Sequence, residues 1–188
     1  MLSTLKPAQG RLLISEPFLE DPEFMRSVIL IADETDSSTL GVILNQKSLL
    51  LLSDLLPHIE GLIEFPVFIG GPVERDAIFY IHRCYDKIPE GFEIAKGIYW
   101  SYNFDIIEGL IERNEISNDE IKFFVGYSGW GQGQLEGELV RNSWIVSDKY
   151  HPDVVFSALE EEIWREVIIN LGPKYAHIIN FPQNPNLN

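Results

Sequence analysis

Short β-rich runs that arrive in pairs, separated by polar or glycine turns, constrain this chain most. Residues 11–14 (RLLI) read as a strand, and Pro17, Asp21 and Pro22 mark the loop after it. Residues 28–32 (VILIA) form a continuous apolar run of the kind a buried strand needs. A polar, turn-like stretch at 33–39 leads to residues 40–44 (LGVIL), the partner strand of a hairpin. Residues 67–69 run into Gly70-Gly71-Pro72, a stiff turn, because glycine tolerates positive φ and a residue before proline is pushed to extended geometry. Residues 77–82 (AIFYIH) and, more weakly, 94–100 continue the pattern, and residues 121–125 (IKFFV) empty into the glycine-rich segment 126–133. The strict βαβα alternation of a doubly wound fold is missing. The expectation is an α+β domain with a mainly antiparallel, branched or partly barrel-like sheet flanked by helices.

The helical signals are fewer. Residues 49–56 read as a short helix stopped by Pro57. Residues 104–113 carry Ile106, Ile107, Leu110 and Ile111 at helical spacing, with Asn103 as N-cap. A short helix is expected at 134–141, a β stretch at 144–146, and a last helix at 154–171. Phe156, Leu159, Ile163, Val167 and Leu171 make its apolar stripe, and Gly172-Pro173 stops it. Residues 1–177 are expected to form one domain, with 178–188 as a partly extended tail.

Composition bounds the function. With 188 residues, 45% of them hydrophobic, the chain can bury a core without staples. Its net charge of -15 repels polyanions, so direct nucleic-acid binding is disfavoured, and anionic membrane surfaces equally. A single cysteine, Cys84, excludes an internal disulfide, a zinc ribbon and a C-x-x-C redox pair. No signal peptide or membrane span is visible, so a reducing, cytoplasmic location is expected.

Several residue groups invite a chemical reading, each with a plainer one beside it. Gly126-Tyr127-Ser128-Gly129-Trp130-Gly131-Gln132-Gly133-Gln134-Leu135-Glu136 links a strand, glycines and a helix start, which is one way to cradle an anion. The dinucleotide fingerprint fails at Glu136, where a third glycine is required, and the P-loop lacks its Gly-Lys-Ser/Thr. The plainer reading is a structural turn with Trp130 plugging the core. Ser128 lacks the glycine of a nucleophile elbow, because Trp130 stands there. Glu136 and Glu138 are two apart on a helix and cannot share a proton, and Glu138 with Arg141 reads as a solvated i,i+3 pair. His58, His82, His151 and His177 show no H-x-x-x-H spacing, so neither a metal nor any other cofactor is expected. His82 is either a general base or a strand-end residue. Cys84 is either a thiol activated by Arg83 or a buried, inert one. Arg26-Ser27 precedes a buried strand, where arginine can tie Asp21 or Glu23 or clamp an anion.

Taken in order, Gly10-Arg-Leu-Leu-Ile, Asp21-Pro22-x-Phe24-x-Arg26-Ser27-Val28, Gly41-x-x-x-Asn45, Gly70-Gly71-Pro72-Val73 and Phe79-x-x-His82 resemble the YqgE/AlgH family. Gly126-Tyr127-x-Gly129-Trp130, Gln134-Leu135-Glu136-x-Glu138, Asn142-x-Trp144 and Trp164-Arg165 complete the set, from about Gly10 to Leu171. The resemblance implies a compact α+β fold with a branched sheet and a small barrel-like part, in a bacterial cytoplasmic protein without an established cofactor. Some family members have been called transcriptional regulators. Many relatives carry a cysteine and a histidine shortly after the Arg-Ser-Val strand. Here Ala32 and Glu34 stand there, so no thiol or metal role carries over.

The leading expectation is therefore an uncharacterised, non-enzymatic binding or regulatory domain, with a protein partner or a small anionic ligand. Arg26, Ser27, Asn45, Gly70, Gly71, Gly126, Tyr127, Gly129, Trp130, Gln134 and Glu136 are its binding candidates. The alternative is an enzyme of hydrolase or transferase type acting on an anionic small molecule, with His82 or Glu136 as acid–base and Arg26 for the substrate.

Overall fold

The structure, a computed structural model, describes residues 5–59, 61–175 and 178–179. In chain order the strands are β1 (Leu12–Ser15), β2 (Val28–Glu34), β3 (Ser38–Ile43), β4 (Lys47–Leu51), β5 (Pro66–Ile69), β6 (Val73–His82), β7 (Phe92–Ala95), β8 (Ile98–Ser101), β9 (Ile121–Gly131) and β10 (Trp144–Ser147). The helices are α1 (Leu52–Leu55), α2 (Asp105–Glu112), α3 (Gln134–Val140), α4 (Pro152–Phe156) and α5 (Glu160–Asn170).

The sheet runs β10-β1-β2-β3-β9-β6-β8-β7, antiparallel throughout, and β4–β5 branches from it through a parallel pairing of β5 with β9. The branch exists because β9 is long. Its first half is flanked by β5 (Val67↔Phe123) and β6 (Tyr80↔Phe123). Its second half is flanked by β3 (Gly41↔Ser128). The switch falls at Gly126, at φ 68°. A Cβ there would sit 2.5 Å from the Gly71 carbonyl oxygen, and one on Gly70 would sit 2.2 Å from the Gly126 oxygen. The two backbones cross so closely that only glycine fits. The sheet curls without closing into a barrel. Its β7 end approaches the chain start, where Gln9 Nε2 donates to the Glu93 carbonyl (2.8 Å).

Four expectations need correction. Residues 126–133 are not a glycine loop. β9 continues to Gly131, because Ser38–Gly41 of β3 offers it a ladder, and only a tight turn at Gln132-Gly133 remains. Residues 49–56 begin as strand, with β4 lying along β5, and turn helical only at Leu52. The last helix is two, broken at residues 157–159 with Ser157 extended (φ −60°, ψ 138°). The carbonyls of Val155 in α4 and of Ser157 just after it are taken by the Lys122 ammonium. Accordingly Phe156, Ile163 and Val167 of the expected stripe are buried, while Leu159 is exposed. The N-cap of α2 is Phe104 rather than the expected Asn103, whose Oδ1 accepts from Asp105 N (3.2 Å) from one residue further out. The expected tail, apart from 178–179, and His177 lie outside the described residues.

The strands β5, β9 and β6 have two covered faces. One buries Phe68, Phe79, Ile81 and Phe124 beneath α4 and α5. The other buries Val67, Tyr80, Ile121 and Phe123 beneath α2. Each such side chain contributes about 1.5–3 kcal/mol on burial. A third cluster joins Leu13, Ile29, Ile43, Trp130 and Trp144 to Leu135 of α3.

Candidate functional site

The segment 21–27 folds as successive tight turns. Asp21 Oδ1 accepts from Glu23 N (2.9 Å), Asp21 O from Phe24 N (3.0 Å), and Phe24 O from Ser27 N (3.1 Å). The Ser27 hydroxyl, buried, also donates to Phe24 O (2.9 Å). These turns carry Arg26 to φ 51°, a left-handed conformation that a non-glycine residue adopts at a cost. Asn45 holds it there. Its Oδ1 accepts from Val28 N (2.8 Å) and its Nδ2 donates to Arg26 O (2.8 Å). The guanidinium of Arg26 then lies 4.8 Å over the Trp164 ring of α5. Asp21 and Glu23, the carboxylates expected to tie Arg26, are engaged by the loop backbone and by Arg75.

Around this pair lies a cleft of about 500 Å3, lined by Arg26, Asn45, Glu160, Glu162, Trp164 and Arg165 among others. Glu160, at the start of α5, accepts from Lys47 N, which joins the cleft rim to β4. The cleft therefore combines the guanidinium groups of Arg26 and Arg165 with the carboxylates of Glu160 and Glu162, and can pair with an anionic group of a small ligand.

The glycine-motif candidates serve the fold. Gly70 O accepts from Ile43 N (2.9 Å) and from the Ser128 hydroxyl (3.1 Å), so Ser128 is a buried brace. Gly71 packs against Tyr127. Gly129 meets only ordinary contacts, at 3.7 Å or more. Trp130 does plug the core, stacked on Phe24 with ring centroids 6.1 Å apart. Glu138 turns away from the expected Arg141 pair to two indoles, accepting from Trp130 Nε1 (2.9 Å) and Trp144 Nε1 (2.7 Å). Gln134 supports it (Nε2 to Glu138 Oε1, 3.2 Å) and closes the turn by accepting from Gly131 N (3.1 Å). Glu136 is exposed on α3. Thus the structure brings Arg26 and Asn45 into one cleft and joins Gly70 and Gly71 to Gly126 and Tyr127. Gln134 and Glu136 do not line that cleft.

His82 has no exposed surface. One ring nitrogen, Nε2, faces the Glu90 carbonyl oxygen at 2.9 Å, and the ring stacks on Tyr99 at 5.4 Å. Burial lowers its pKa, against the pull of the Glu90 carbonyl. Cys84 is buried, and burial pushes its thiol up to about 11, so it is the inert thiol of the two readings. Arg83, expected to activate it, pairs with Asp153 and lies over Phe156. Among the described residues no cluster of His, Cys, Asp or Glu is arranged to hold a metal ion.

Sequence reasoning missed Lys122. Its Nζ donates to Leu44 O (2.7 Å), Ser157 O (2.7 Å) and Val155 O (3.3 Å), and lies 3.9 Å from the Phe68 ring centre. Burial pulls its pKa down to about 7, with Glu160 opposing. A signal was present: in IKFFV, position 122 shares a face with Phe124, so strand alternation sends this lysine inward. Glu160 and Trp164 were also missed as site residues, because their convergence on Arg26 depends on the break between α4 and α5.

The chain is thus a branched α+β sheet with an arginine–indole cleft at the start of α5. Its sequence matches the AlgH-like (DUF179) family over residues 12–176, and the chain belongs to that family. It is 37% identical over 182 residues to a UPF0301 protein of Bacteroides thetaiotaomicron, covering 97% of this chain and 92% of that one. It is 34% identical to a UPF0301 protein of Chlorobium limicola, covering 95% of each. Among solved structures it resembles a protein of Corynebacterium diphtheriae (TM-score 0.76, 22% identity, 94% of each chain). It also resembles the AlgH protein of Pseudomonas aeruginosa, solved in solution (TM-score 0.72, 23% identity, 95% of this chain and 98% of that one). At these identities the structural likeness concerns the fold.

Proposed function

We propose that this chain is a non-enzymatic binding domain with a regulatory role, and that its cleft at Arg26 takes a small anionic ligand. The observation that carries this is Arg26 itself. A non-glycine residue is held at φ 51° by a dedicated asparagine, and its guanidinium is laid on an indole at the wall of a cleft. Left-handed strain that the surroundings enforce so fully is the kind that marks ligand sites. Arg165 supplies a second cation at the same wall. The size of the cleft suits a small molecule. Any effect on transcription runs through that ligand or a protein partner, since a net charge of -15 opposes contact with DNA. A reducing cytoplasm suits a single buried thiol. No helix among the described residues is long and apolar enough to cross a membrane.

The hydrolase or transferase reading loses its geometry. His82 is sealed in the core, Glu136 stands exposed on α3, and neither lines the cleft with Arg26.

The test is native mass spectrometry of the protein isolated gently from its host, alongside Arg26→Gly. Glycine accepts φ 51° without strain, so the variant keeps the turn and loses the arginine side chain with its guanidinium. The expected result is an extra mass of a few hundred daltons that falls at least about tenfold in occupancy in the variant, as loss of a charge-assisted pair implies. An adduct retained equally by Arg26→Gly would refute the site.

A further inference from the structure

The β7–β8 hairpin carries a second cleft, of about 640 Å3, whose chemistry is the reverse of the first. Its walls include Glu90, Phe92, Trp100, Tyr102, Phe104 and Asp105. Gly91, at φ 108°, fixes how Glu90 and Phe92 are presented, because a Cβ there would lie 2.8 Å from Trp100 O. The Glu90 carboxylate is fully positioned by neutral donors. Its Oε1 accepts from the Ser101 hydroxyl (3.1 Å) and its Oε2 from Asn103 Nδ2 (2.9 Å), while the Tyr80 hydroxyl, 3.2 Å from Oε1, has a closer acceptor in the Asn103 carbonyl oxygen (2.7 Å). A carboxylate has about four lone-pair positions, so acceptor capacity remains. Among the described residues no cation pairs with Glu90 or Asp105.

The aromatic side of the cleft is equally specific. Phe92 and Tyr102 are each 70% exposed, and Trp100 is braced from behind by Phe79, stacked at 3.9 Å. Two exposed aromatic side chains and the half-buried Trp100, beside a fixed carboxylate with no cationic partner among the described residues, are a recognition arrangement for an organic cation. The ring faces are negative, and the carboxylate supplies the counter-charge. The same three rings wall a neighbouring apolar cleft of about 450 Å3, with Ile94 and Leu40, where an alkyl chain can lie. At long range, the net charge of -15 draws cations in.

We propose that this cleft binds a small organic cation, an alkylammonium or alkylguanidinium, with its charged head against Glu90 and its body over Tyr102 and Trp100. The site is independent of the Arg26 cleft and of any ligand taken there.

Agmatine is the probe, titrated at low salt by calorimetry and by NMR on the Trp100 indole. The expected result is saturable binding with a shift of the Trp100 resonance. Affinity should fall about tenfold in Glu90→Gln, which keeps the side-chain shape and one acceptor oxygen and removes the charge. It should fall about threefold in Tyr102→Ala, a surface change that spares the core. Arg26→Gly should leave it unchanged, which separates this proposal from the function proposed above. Absence of saturable binding would overturn it. So would equal affinity in Glu90→Gln and Tyr102→Ala, since that is the behaviour of diffuse attraction to an acidic surface.

Discussion

The two faces of the β5–β9–β6 sheet each bury one titratable nitrogen, and they treat it oppositely. Ile81 pairs with Lys122 and His82 with Ile121, so the two groups are one register position apart and point to opposite sides. Lys122, on the α4–α5 face, has three carbonyl acceptors and the face of Phe68. His82, on the α2 face, has one partner at Nε2, and its Nδ1 meets no hydrogen-bond partner among the described residues. An ammonium carries three donors and no acceptor, so the Lys122 shell fits it. A neutral imidazole donating through Nε2 to the Glu90 carbonyl leaves its other nitrogen a bare acceptor. Both are shielded from solvent; the count of partners differs. Lys122 is thus a clamp that fixes the α4–α5 break and with it the Arg26 cleft. His82 is a packed aromatic ring whose single bond helps place Glu90.

Removing the clamp should have the largest effect. Lys122→Met keeps the stem and leaves three buried carbonyls without their donor. At pH 9, where the folded amine is neutral, unpaired buried acceptors at about 1–3 kcal/mol each should bring the loss to about 3–5 kcal/mol. In a chain this long, that lowers Tm by about 10 °C. Urea unfolding with Trp fluorescence checks it. A loss below about 1 kcal/mol would mean that water replaces the ammonium, and that the two faces are more alike than their partner counts suggest.

Titration sharpens the contrast next. Lys122 titrates near its ordinary 10.5 when unfolded and at about 7 when folded. Between those values the unfolded chain binds the proton and the folded chain does not. Stability therefore rises with pH there, by about 1.4 kcal/mol per unit, and the cost of burying the charge is fully present below pH 7. Cys84 opposes this above about pH 9, its ordinary value, because the folded thiol keeps its proton up to about 11. The clear window is thus pH 7–9, where wild type should show the slope and Lys122→Met should lack it. A flat wild-type profile would show that the three carbonyls hold the ammonium charged in spite of burial.

What the sequence revealed and what it hid follow the same division between local and distant causes. The β-rich runs read at 11–14, 28–32 and 67–69, which fall on β1, β2 and β5, the α2 stripe of Ile107, Leu110 and Ile111, and the burial of Trp130 all follow from local periodicity or side-chain size. The glycine segment was misread as a loop because its strand character comes from β3, some ninety residues away, and because its glycines answer to the Gly70–Gly71 backbone. The break at 157–159 was hidden for a like reason, since Lys122 imposes it from another element. Of the site, Arg26 and Asn45 were legible as candidates. Trp164 and Glu160 were not, because their place beside Arg26 depends on that break.

The smallest effect should come from the other face. His82→Phe loses the Nε2 bond to Glu90 O and leaves that carbonyl short of a partner, at a cost of about 1 kcal/mol. The change also removes the bare Nδ1 lone pair from the core and keeps a ring against Tyr99. The two terms offset, and stability at pH 8 should change by less than about 1 kcal/mol. In acid the signs separate. The His82 pKa is lowered from 6.5 by burial, so below pH 6.5 the unfolded chain takes up a proton that the folded chain resists, and wild type loses stability as pH falls. His82→Phe should be spared that loss, which comparison of unfolding midpoints at pH 5 and pH 8 measures. A cost of several kcal/mol at pH 8 would instead mean that Nδ1 has a partner such as a buried water. The α2 face would then hold its nitrogen as firmly as the α5 face holds Lys122, and the comparison would fail.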